Sequence, residues 1–315
     1  MSGISIEDYY LNSDFWIWRG FKISWHVKGL KNKYPLLLLH GFGSSGAHWR
    51  NNINFFEEKG FIVYSIDLIG FGNSEQPGIK QIRKLDNGIW CDQVTDFISE
   101  IIRPHNSEKV ILIGNSLGSL VALTCAVSIP EEVSGIIASP LPDKINSSYS
   151  IETFKPNLYK FKSLIFKLFF LLMPLELILF VVNKTRLIEF GLRAAYNKQN
   201  KVDQELIKII KRPVSRKTAA KSLRAMSIGM SVRKDNLKAS YLLNLMNKTQ
   251  RIPFLLIWGE KDSFIPLFLG KMIAKLYSWV ELKIIPDSGH CVHDEDHKKF
   301  NKISYDWIKK LRDFY

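Results

Sequence analysis

Residues 110–118, Val-Ile-Leu-Ile-Gly-Asn-Ser-Leu-Gly, constrain the fold of this chain more than any other stretch. The apolar residues at its start predict a buried strand, and the apolar positions in 120–127 have helical spacing. Gly114 and Gly118 flank Ser116, as expected where a sharp strand-to-helix turn leaves little room for a Cβ. The pattern therefore predicts a serine at the tip of a tight turn, beside the free N–H groups of a helix N-terminus.

Strands and helices alternate on both sides of this turn. Such alternation predicts an α/β fold with a mostly parallel sheet and right-handed crossovers, opened here by an antiparallel hairpin. The predicted strands are residues 15–18, 21–27, 36–39, 61–66, 110–113, 133–138, 253–258 and 280–285. The predicted helices are residues 89–102, 120–127, 267–276 and 300–311, with a shorter helical pattern at 49–56.

Residues 141–251 interrupt this alternation and contain no convincing strand. The interruption begins at the proline-rich stretch 139–143, and the next strand is predicted at 253–258. We therefore expect residues 1–140 and 252–315 to form the core of the fold. The intervening segment is expected to form a helical cap between the sixth and seventh core strands.

The most apolar part of this predicted cap is the stretch 161–182. A transmembrane helix there would have to bury Lys162, Lys167 and Glu176 and to contain Pro174. A charge near the bilayer centre costs ~3 kcal/mol on insertion scales. Two short helices broken near Pro174 are therefore expected instead, covering a pocket or dipping their apolar faces into a membrane surface.

The positive charge of the chain is concentrated in the same segment. The net charge is +14, and residues 141–251 hold 22 Lys and Arg against 7 Asp and Glu. This surface is either a solvated helical face or a face that meets anionic lipid head groups. Nucleic acid is not an expected partner, because no binding module and no interleaving of basic with aromatic residues is present.

The cysteines and the N-terminus bear on the compartment and on cofactors. Cys91, Cys125 and Cys291 form neither an even disulfide framework nor a metal-binding pattern, so a reducing compartment is expected. The first ten residues lack the basic and apolar regions of a signal peptide. We therefore expect a cytoplasmic protein, at most peripheral to a membrane such as a photosynthetic one, with no metal and no organic cofactor.

A serine nucleophile needs a base to take its proton and a carboxylate to orient that base. Asp262 follows the strand predicted at 253–258, and His290 follows the strand predicted at 280–285. In a parallel sheet both loops open at the same carboxyl edge as Ser116, where ligands bind. The sequence therefore predicts Ser116 as nucleophile, His290 as base and Asp262 as acid.

Other residues compete for these roles. Glu260 is the main rival acid and Asp67, which ends a predicted strand, is a second one. His293 is the rival base, although His290 comes first after the strand and directly follows a glycine, so a structural role is expected for His293. Cys291 is not expected to be a nucleophile, because it follows the predicted base.

A second backbone donor is needed to stabilise an oxyanion, and residues 40–43, His-Gly-Phe-Gly, are placed to supply it. The N–H groups of Phe42 and Leu117 are predicted to form this oxyanion hole, with the histidine of the loop holding it by hydrogen bonds. Gly41 and Asn115 are candidates for substrate contacts. Asn115 is equally suited to a purely structural place in the turn.

Taken together, these motifs resemble the α/β-hydrolase superfamily over nearly the whole chain. The closer resemblance is to the pheophytinases and chlorophyll dephytylases of plants and cyanobacteria, which remove phytol by ester hydrolysis. It implies the same triad of Ser116, Asp262 and His290. The stretches that carry it are residues 90–98 (Trp-Cys-Asp-Gln-Val-Thr-Asp-Phe-Ile), 114–118 (Gly-Asn-Ser-Leu-Gly) and 289–295 (Gly-His-Cys-Val-His-Asp-Glu).

Two positions and one segment depart from this resemblance. Ser119 stands where a glycine is common, Ser263 stands where a proline often follows the acid, and the Lys-rich cap has no counterpart. Because caps set specificity, these departures concern the substrate and not the triad.

The expected function is a serine hydrolase acting on a carboxylic ester with a large apolar part, such as the phytyl ester of pheophytin or chlorophyll. A C–C bond hydrolase of vinylogous diketones, which can share the Gly-Asn-Ser turn, is the first alternative. A catalytically silent binding protein with the same fold is the second. Dehalogenases and epoxide hydrolases with an aspartate nucleophile are disfavoured, because position 116 is a serine.

Overall fold

The computed structural model describes residues 3–31, 33–143 and 168–313. These residues contain an eight-stranded sheet, and every predicted strand is present in it. The strands are β1 (Ser13–Trp18), β2 (Phe21–Lys28), β3 (Tyr34–Leu39), β4 (Phe61–Ile66), β5 (Val110–Asn115), β6 (Val133–Ser139), β7 (Phe254–Gly259) and β8 (Val280–Ile285). Their spatial order is β1-β2-β4-β3-β5-β6-β7-β8.

The sheet is antiparallel at one end and parallel elsewhere. The β1 strand pairs with β2, and β2 pairs with β4, in antiparallel fashion, whereas all the other pairs are parallel. The predicted opening hairpin is confirmed, and Arg19 (φ +50°) with Gly20 (φ +82°) forms its turn. Two successive residues with positive φ match the right-handed twist of a two-stranded ribbon.

Helices cover both faces of the sheet, which is why the leucines of β3 form an unbroken apolar run. Leu37 and Leu39 point into the layer that contains the helices at 87–97 and 117–128, whereas Leu36 and Leu38 point into the layer that contains the helices at 53–58 and 297–313. All four leucines are fully buried. The helices outside the predicted cap are α1 (Ile6–Leu11), α2 (Ile53–Glu58), α3 (Asn87–Phe97), α4 (Leu117–Ser128), α10 (Leu267–Leu276), α11 (Val292–Glu295) and α12 (His297–Asp313).

Several helices start earlier than their apolar pattern predicts. The α3 helix begins at Asn87 because the side chain of Asp86 accepts hydrogen bonds from the first free amides, and it continues as a wider helical turn over Ile98–Ile102. The α4 helix begins at Leu117, directly after the serine turn. The six-residue α1 helix was not predicted, since one and a half turns carry too little periodicity to detect.

Helices also fill the described part of the chain between β6 and β7. Residues 168–172 are helical, and α5 begins directly after Pro174, so the predicted break near this proline is confirmed. The predicted apolar positions at 161–167 lie outside the described residues. The helices of this region are α5 (Leu175–Lys184), α6 (Leu187–Ala195), α7 (Gln204–Val214), α8 (Ala219–Ser231) and α9 (Ala239–Lys248). Within the described ranges, no helix has the length and hydropathy needed to cross a bilayer.

The last of these helices, α9, belongs to the same hydrophobic core as α4. Its buried residues Leu242, Leu243 and Met246 join a cluster that also contains Leu120 and Leu123 of α4. The inserted helices therefore share apolar contacts with the sheet layer beside them. The division of the chain into a core and a cap at residues 140 and 251 stays a prediction.

A buried ion pair ties the first half of the chain to the last. The Nε of Arg50 lies 2.9 Å from Oδ1 of Asp294, and its Nη1 lies 2.9 Å from Oδ1 of Asp203. Burial opposes ionisation of Asp294, yet the adjacent Arg50 holds the pKa of that carboxyl well below its usual range. Tyr196 donates a further hydrogen bond to Asp294, at 2.9 Å. This network fixes α11 against the loop after β3.

Candidate active site

The turn after β5 has the strained backbone that the sequence predicts. Ser116 has φ +50° and ψ −113°, a conformation that costs a non-glycine residue about 1–3 kcal/mol. A Cβ on Gly118 would lie 2.0 Å from the carbonyl oxygen of Leu39, and one on Gly114 would lie 2.4 Å from the backbone of Gly118. Only glycine fits at these two positions, and their lack of side chains lets the backbone turn sharply between β5 and α4. The half-buried Ser116 lies at the tip of this turn, directly before the first residue of α4.

Asp262 and His290 form a hydrogen-bonded pair beyond the carboxyl ends of β7 and β8. Nδ1 of His290 lies 3.0 Å from Oδ2 of Asp262. The other carboxylate oxygen accepts bonds from the N–H groups of Phe264 and Ile265, both at 2.9 Å. The backbone holds Oδ1 of Asp262, and Oδ2 faces Nδ1 of His290 as a hydrogen-bond acceptor. When Nδ1 donates to Oδ2, the Nε2 atom of His290 is left available as a base.

Ser116 reaches the same edge of the sheet from β5. A single strand, β6, separates β5 from β7, which places their axes roughly 10 Å apart. That distance is within reach of side chains on loops, so the strand order gives all three predicted triad residues access to one region.

The two rival acids have other partners. Glu260 is exposed, lies 3.9 Å from Nζ of Lys261 and accepts a long bond from the N–H of Asp287. Asp67 is fully buried and accepts bonds from the N–H groups of Gly46 and Asn73, at 2.7 Å each. Burial raises the pKa of Asp67 to about 6. Its carboxylate fixes two loops and does not contact His290.

The loop after β3 is held by its histidine. Nε2 of His40 accepts a bond from the N–H of Leu68 at 3.0 Å, so Nδ1 carries the proton and donates to the carbonyl of Gly41 at 2.8 Å. Burial lowers the pKa of His40 to about 4, which keeps this arrangement neutral. The next residue, Phe42, exposes 56% of its surface. Leu117 is buried at the start of α4.

The two candidate substrate contacts are close to each other and to the nucleophile turn. Asn115 is buried, and its Nδ2 donates to the carbonyl of Ser139 at 2.6 Å. A Cβ on Gly41 would lie 2.6 Å from Oδ1 of Asn115 and 3.6 Å from Cβ of Ser116. Both residues therefore brace the turn, and a direct contact with substrate stays a prediction.

Ser119 makes a contact that the sequence did not reveal. Its buried hydroxyl donates to the carbonyl of Gly114 at 2.8 Å and accepts from the N–H of Ser139 at 2.9 Å. It thereby joins β5 to β6, the neighbouring strand in the sheet. The only signal in the sequence was the departure from glycine at this position.

His293, the rival base, lies in a buried aromatic cluster. Its ring centroid is 4.5 Å from that of His48 and 4.4 Å from that of Trp49, and neither ring nitrogen has a partner among the described residues. Burial lowers the pKa of His293 well below its ordinary value and that of His48 to about 4. Cys291 is also buried, and burial raises the pKa of its thiol. Neither residue has the surroundings of a reactive group.

Metal ligands are not grouped in the part of the chain that the structure describes. Within residues 3–31, 33–143 and 168–313, no set of three or more His, Cys, Asp or Glu side chains is arranged to hold a metal ion.

The comparisons with known proteins agree with this fold. The model of the alpha/beta hydrolase family matches residues 36–303, so the chain belongs to that family. Epoxide hydrolase 3 of Xenopus tropicalis is 24% identical over 304 residues, covering 92% of this chain and 76% of its own. A 2-hydroxy-6-oxo-6-phenylhexa-2,4-dienoate hydrolase of Comamonas testosteroni is 25% identical, covering 87% of each chain.

A solved structure has the same architecture. A thermophilic esterase from Thermogutta terrifontis superposes with a TM-score of 0.70 at 18% identity, covering 95% of this chain and 98% of its own. The relatives of this chain thus include hydrolases named for an epoxide and for a dienoate. The family alone does not select among these reactions.

The buried histidines predict sensitivity to acid. Unfolded histidines have a pKa of about 6.5, so below that pH the unfolded chain binds protons that folded His40 and His48, each with a pKa of about 4, do not bind. The lowered pKa of His293 acts in the same direction. Stability is therefore lost as the pH falls through this window. Asp67, with its raised pKa, offsets part of the loss. From His40, His48 and Asp67 we expect the free energy of unfolding to fall by at least about 2 kcal/mol from pH 7 to pH 5, measured by urea denaturation.

A matched variant tests the origin of this effect. Nε2 of His48 donates to the hydroxyl of Tyr196, a bond that the amide of His48→Gln can replace. This variant should show a smaller change in stability between the two pH values. Equal changes in both proteins would contradict the assignment.

Proposed function

We propose that this protein is a serine hydrolase that cleaves a carboxylic ester with a large apolar part. The observation that carries the proposal is the buried hydrogen bond between Asp262 and His290, at the same sheet edge as the strained turn of Ser116. A positive φ at a serine is unfavourable and is expected where it exposes a nucleophile.

In this proposal Ser116 attacks the ester carbonyl and His290 takes its proton. The negative charge on the tetrahedral intermediate is stabilised by the N–H groups of Phe42 and Leu117, neither of which donates to an acceptor among the described residues. His290 then protonates the leaving alcohol. Water, activated by the same histidine, releases the acid from the acyl-enzyme, and Asp262 stabilises the imidazolium in both steps.

The side chains around the predicted site favour an apolar substrate. Phe42, in the loop after β3, and Phe264 each expose more than half of their surface, and the ring of Phe264 lies 5.3 Å from that of His290. Large exposed aromatic side chains beside a reactive group are typical of a surface that binds an apolar ligand. The resemblance to the pheophytinases makes the phytyl ester of a chlorophyll-type pigment the first candidate.

Epoxide hydrolysis and carbon–carbon bond cleavage make different demands on a serine nucleophile. Attack by a serine on an epoxide would form an ether, which an activated water cannot hydrolyse, so turnover of epoxides is not expected. Cleavage of a carbon–carbon bond in a vinylogous diketone uses a compatible set of groups, and the Comamonas testosteroni relative supports it as the alternative.

The triad predicts a defined pattern of inactivation. Wild type should react with a fluorophosphonate probe, and Ser116→Ala should abolish labelling. Asp262→Asn should lower kcat/KM by about 1,000-fold or more, because His290 loses its oriented tautomer. Glu260→Gln, on the exposed rival acid, is the matched control and should stay within twofold of wild type.

Failure of the folded wild type to react would contradict the enzyme assignment and favour a silent binding protein. Equal losses in the Asp262 and Glu260 variants would contradict the proposed acid.

The substrate proposal predicts a dependence on apolar size. Each methylene that enters an apolar site contributes about 0.8 kcal/mol, so KM should fall up to about fourfold per methylene along a series of ester substrates. Pheophytin and chlorophyll should give dephytylated products, detected by chromatography. A vinylogous diketone serves in the same panel, and its cleavage without ester turnover would establish the alternative instead.

The exposed part of the inserted helices supports a further proposal, namely that this face rests on an anionic membrane. Apolar side chains that expose two fifths or more of their surface cluster on 168–190, and the surrounding segment 141–251 is strongly basic. Apolar burial and attraction to anionic lipid act together at such surfaces. The exposed side chains are Leu168, Phe169, Leu172, Leu177, Ile178, Phe180, Val181, Leu187 and Phe190.

Vesicle co-sedimentation tests this membrane proposal. Binding to phosphatidylserine vesicles should exceed binding to neutral vesicles and weaken as salt rises. Phe180→Glu with Phe190→Glu should reduce it at least tenfold, whereas Leu11→Glu, at an apolar residue of α1 that is 82% exposed, should not. Equal binding to neutral and anionic vesicles would contradict the proposal.

A further inference from the structure

The segment 194–198, at the end of α6, crosses the loops that carry both Asp262 and His290. The carbonyl of Ala194 accepts a bond from Oγ of Ser263 at 2.6 Å, next to the predicted acid. The carbonyl of Ala195 accepts a bond from the N–H of His290 itself, at 2.7 Å. The predicted cap is therefore bonded directly to the backbone of the predicted base.

Gly289 makes this approach possible. A Cβ at this position would lie 2.4 Å from the carbonyl oxygen of Ala195 and 2.8 Å from the nitrogen of Asn197. Side chains essentially never approach backbone atoms so closely, so the residue before His290 has to be glycine for the two segments to touch. The side chain of Asn197 adds a bond to the carbonyl of Asp287, at 3.0 Å.

The carboxylate of Glu295 forms hydrogen bonds to both the 194–198 segment and the loop that carries His290. One of its carboxylate oxygens accepts a bond from the N–H of Gly289 at 2.7 Å, and the other accepts one from the N–H of Lys198. The residue is 1% exposed. A carboxylate offers an acceptor at both ends, whereas an amide offers only one, so the pair of N–H donors requires an acid here.

We infer that Glu295 is a positioning residue for His290, because its carboxylate bridges the backbone before His290 to the 194–198 segment. The inference rests on the proposed serine hydrolase function. Asp262 orients the imidazole ring, while Glu295 and the carbonyl of Ala195 set the position of the backbone that carries it. A displacement of the base by about 1 Å is enough to slow catalysis by about 100-fold.

The test uses the full chain and a small, soluble ester, so that apolar substrate contacts contribute little. Glu295→Gln should lower kcat about 10-fold and Glu295→Ala about 100-fold, with KM within twofold of wild type. The rate of fluorophosphonate labelling should fall in parallel. Glu281→Gln, on an exposed acid of β8, is the matched control and should leave both rates unchanged.

Hydrogen exchange supplies a readout that does not depend on activity. The amides of Gly289 and His290 should exchange at least tenfold faster in Glu295→Gln than in wild type, at equal global stability. Asn197→Ala, at an exposed position, is the second variant in case the buried substitutions unfold the protein. It should speed exchange at residues 287–290 and lower kcat by about two- to fivefold.

Each outcome is decisive for the inference. Unchanged exchange at Gly289 and His290 in a folded Glu295 variant would overturn it, and so would a rise in KM at constant kcat. If wild type does not react with the probe, the serine hydrolase proposal fails, whereas the bridge is still judged by exchange alone.

Discussion

The turn at Ser116 depends on how closely two neighbouring strands approach each other. The backbone of Gly118 packs against the carbonyl of Leu39 at a distance that excludes any side chain. This contact exists only because β3 lies directly beside β5 in the sheet. The N–H of Ser116 is held by the carbonyl of Ser139 at 3.0 Å from the other neighbour, β6. Strand order therefore maintains a backbone conformation that the serine alone would not adopt.

Buried charge is the second constraint on the site. Asp262 accepts hydrogen bonds from two backbone N–H groups and lies within hydrogen-bond distance of His290, so both of its buried carboxylate oxygens have partners. Asp294 is stabilised in the same way by Arg50 and Tyr196. Because removal of a buried partner leaves an uncompensated charge, Asp294 depends on segments that are 98 and 244 residues away in sequence.

The departures from the family resemblance acquire physical meaning in the structure. Ser119 joins β5 to β6 through its hydroxyl, and Ser263 bonds the carbonyl of Ala194. Both are hydrogen bonds that glycine or proline could not make. The second of them ties the loop of the predicted acid to the end of α6, one of the inserted helices.

The sequence by itself determined the α/β fold class with its mostly parallel sheet, the serine turn, and the loops that carry the predicted acid and histidine. These features follow from local patterns: continuous apolar runs buried on two faces, glycines where a Cβ has no room, and polar residues directly after strands. The pairing of His290 with Asp262, in preference to Glu260, needed the tertiary structure, because both acids stand in one loop and only their directions differ.

The tertiary structure alone also decided the Arg50–Asp294 pair, the isolation of His293 and the bridge made by Glu295. Arg50 and Asp294 are 244 residues apart, and Glu295 is 97 residues from Lys198. His293 lies in a cluster with His48 and Trp49, which are equally distant in the sequence. Long-range hydrogen bonds between buried polar groups leave no periodic signal. They are set by which segments the completed sheet brings into contact.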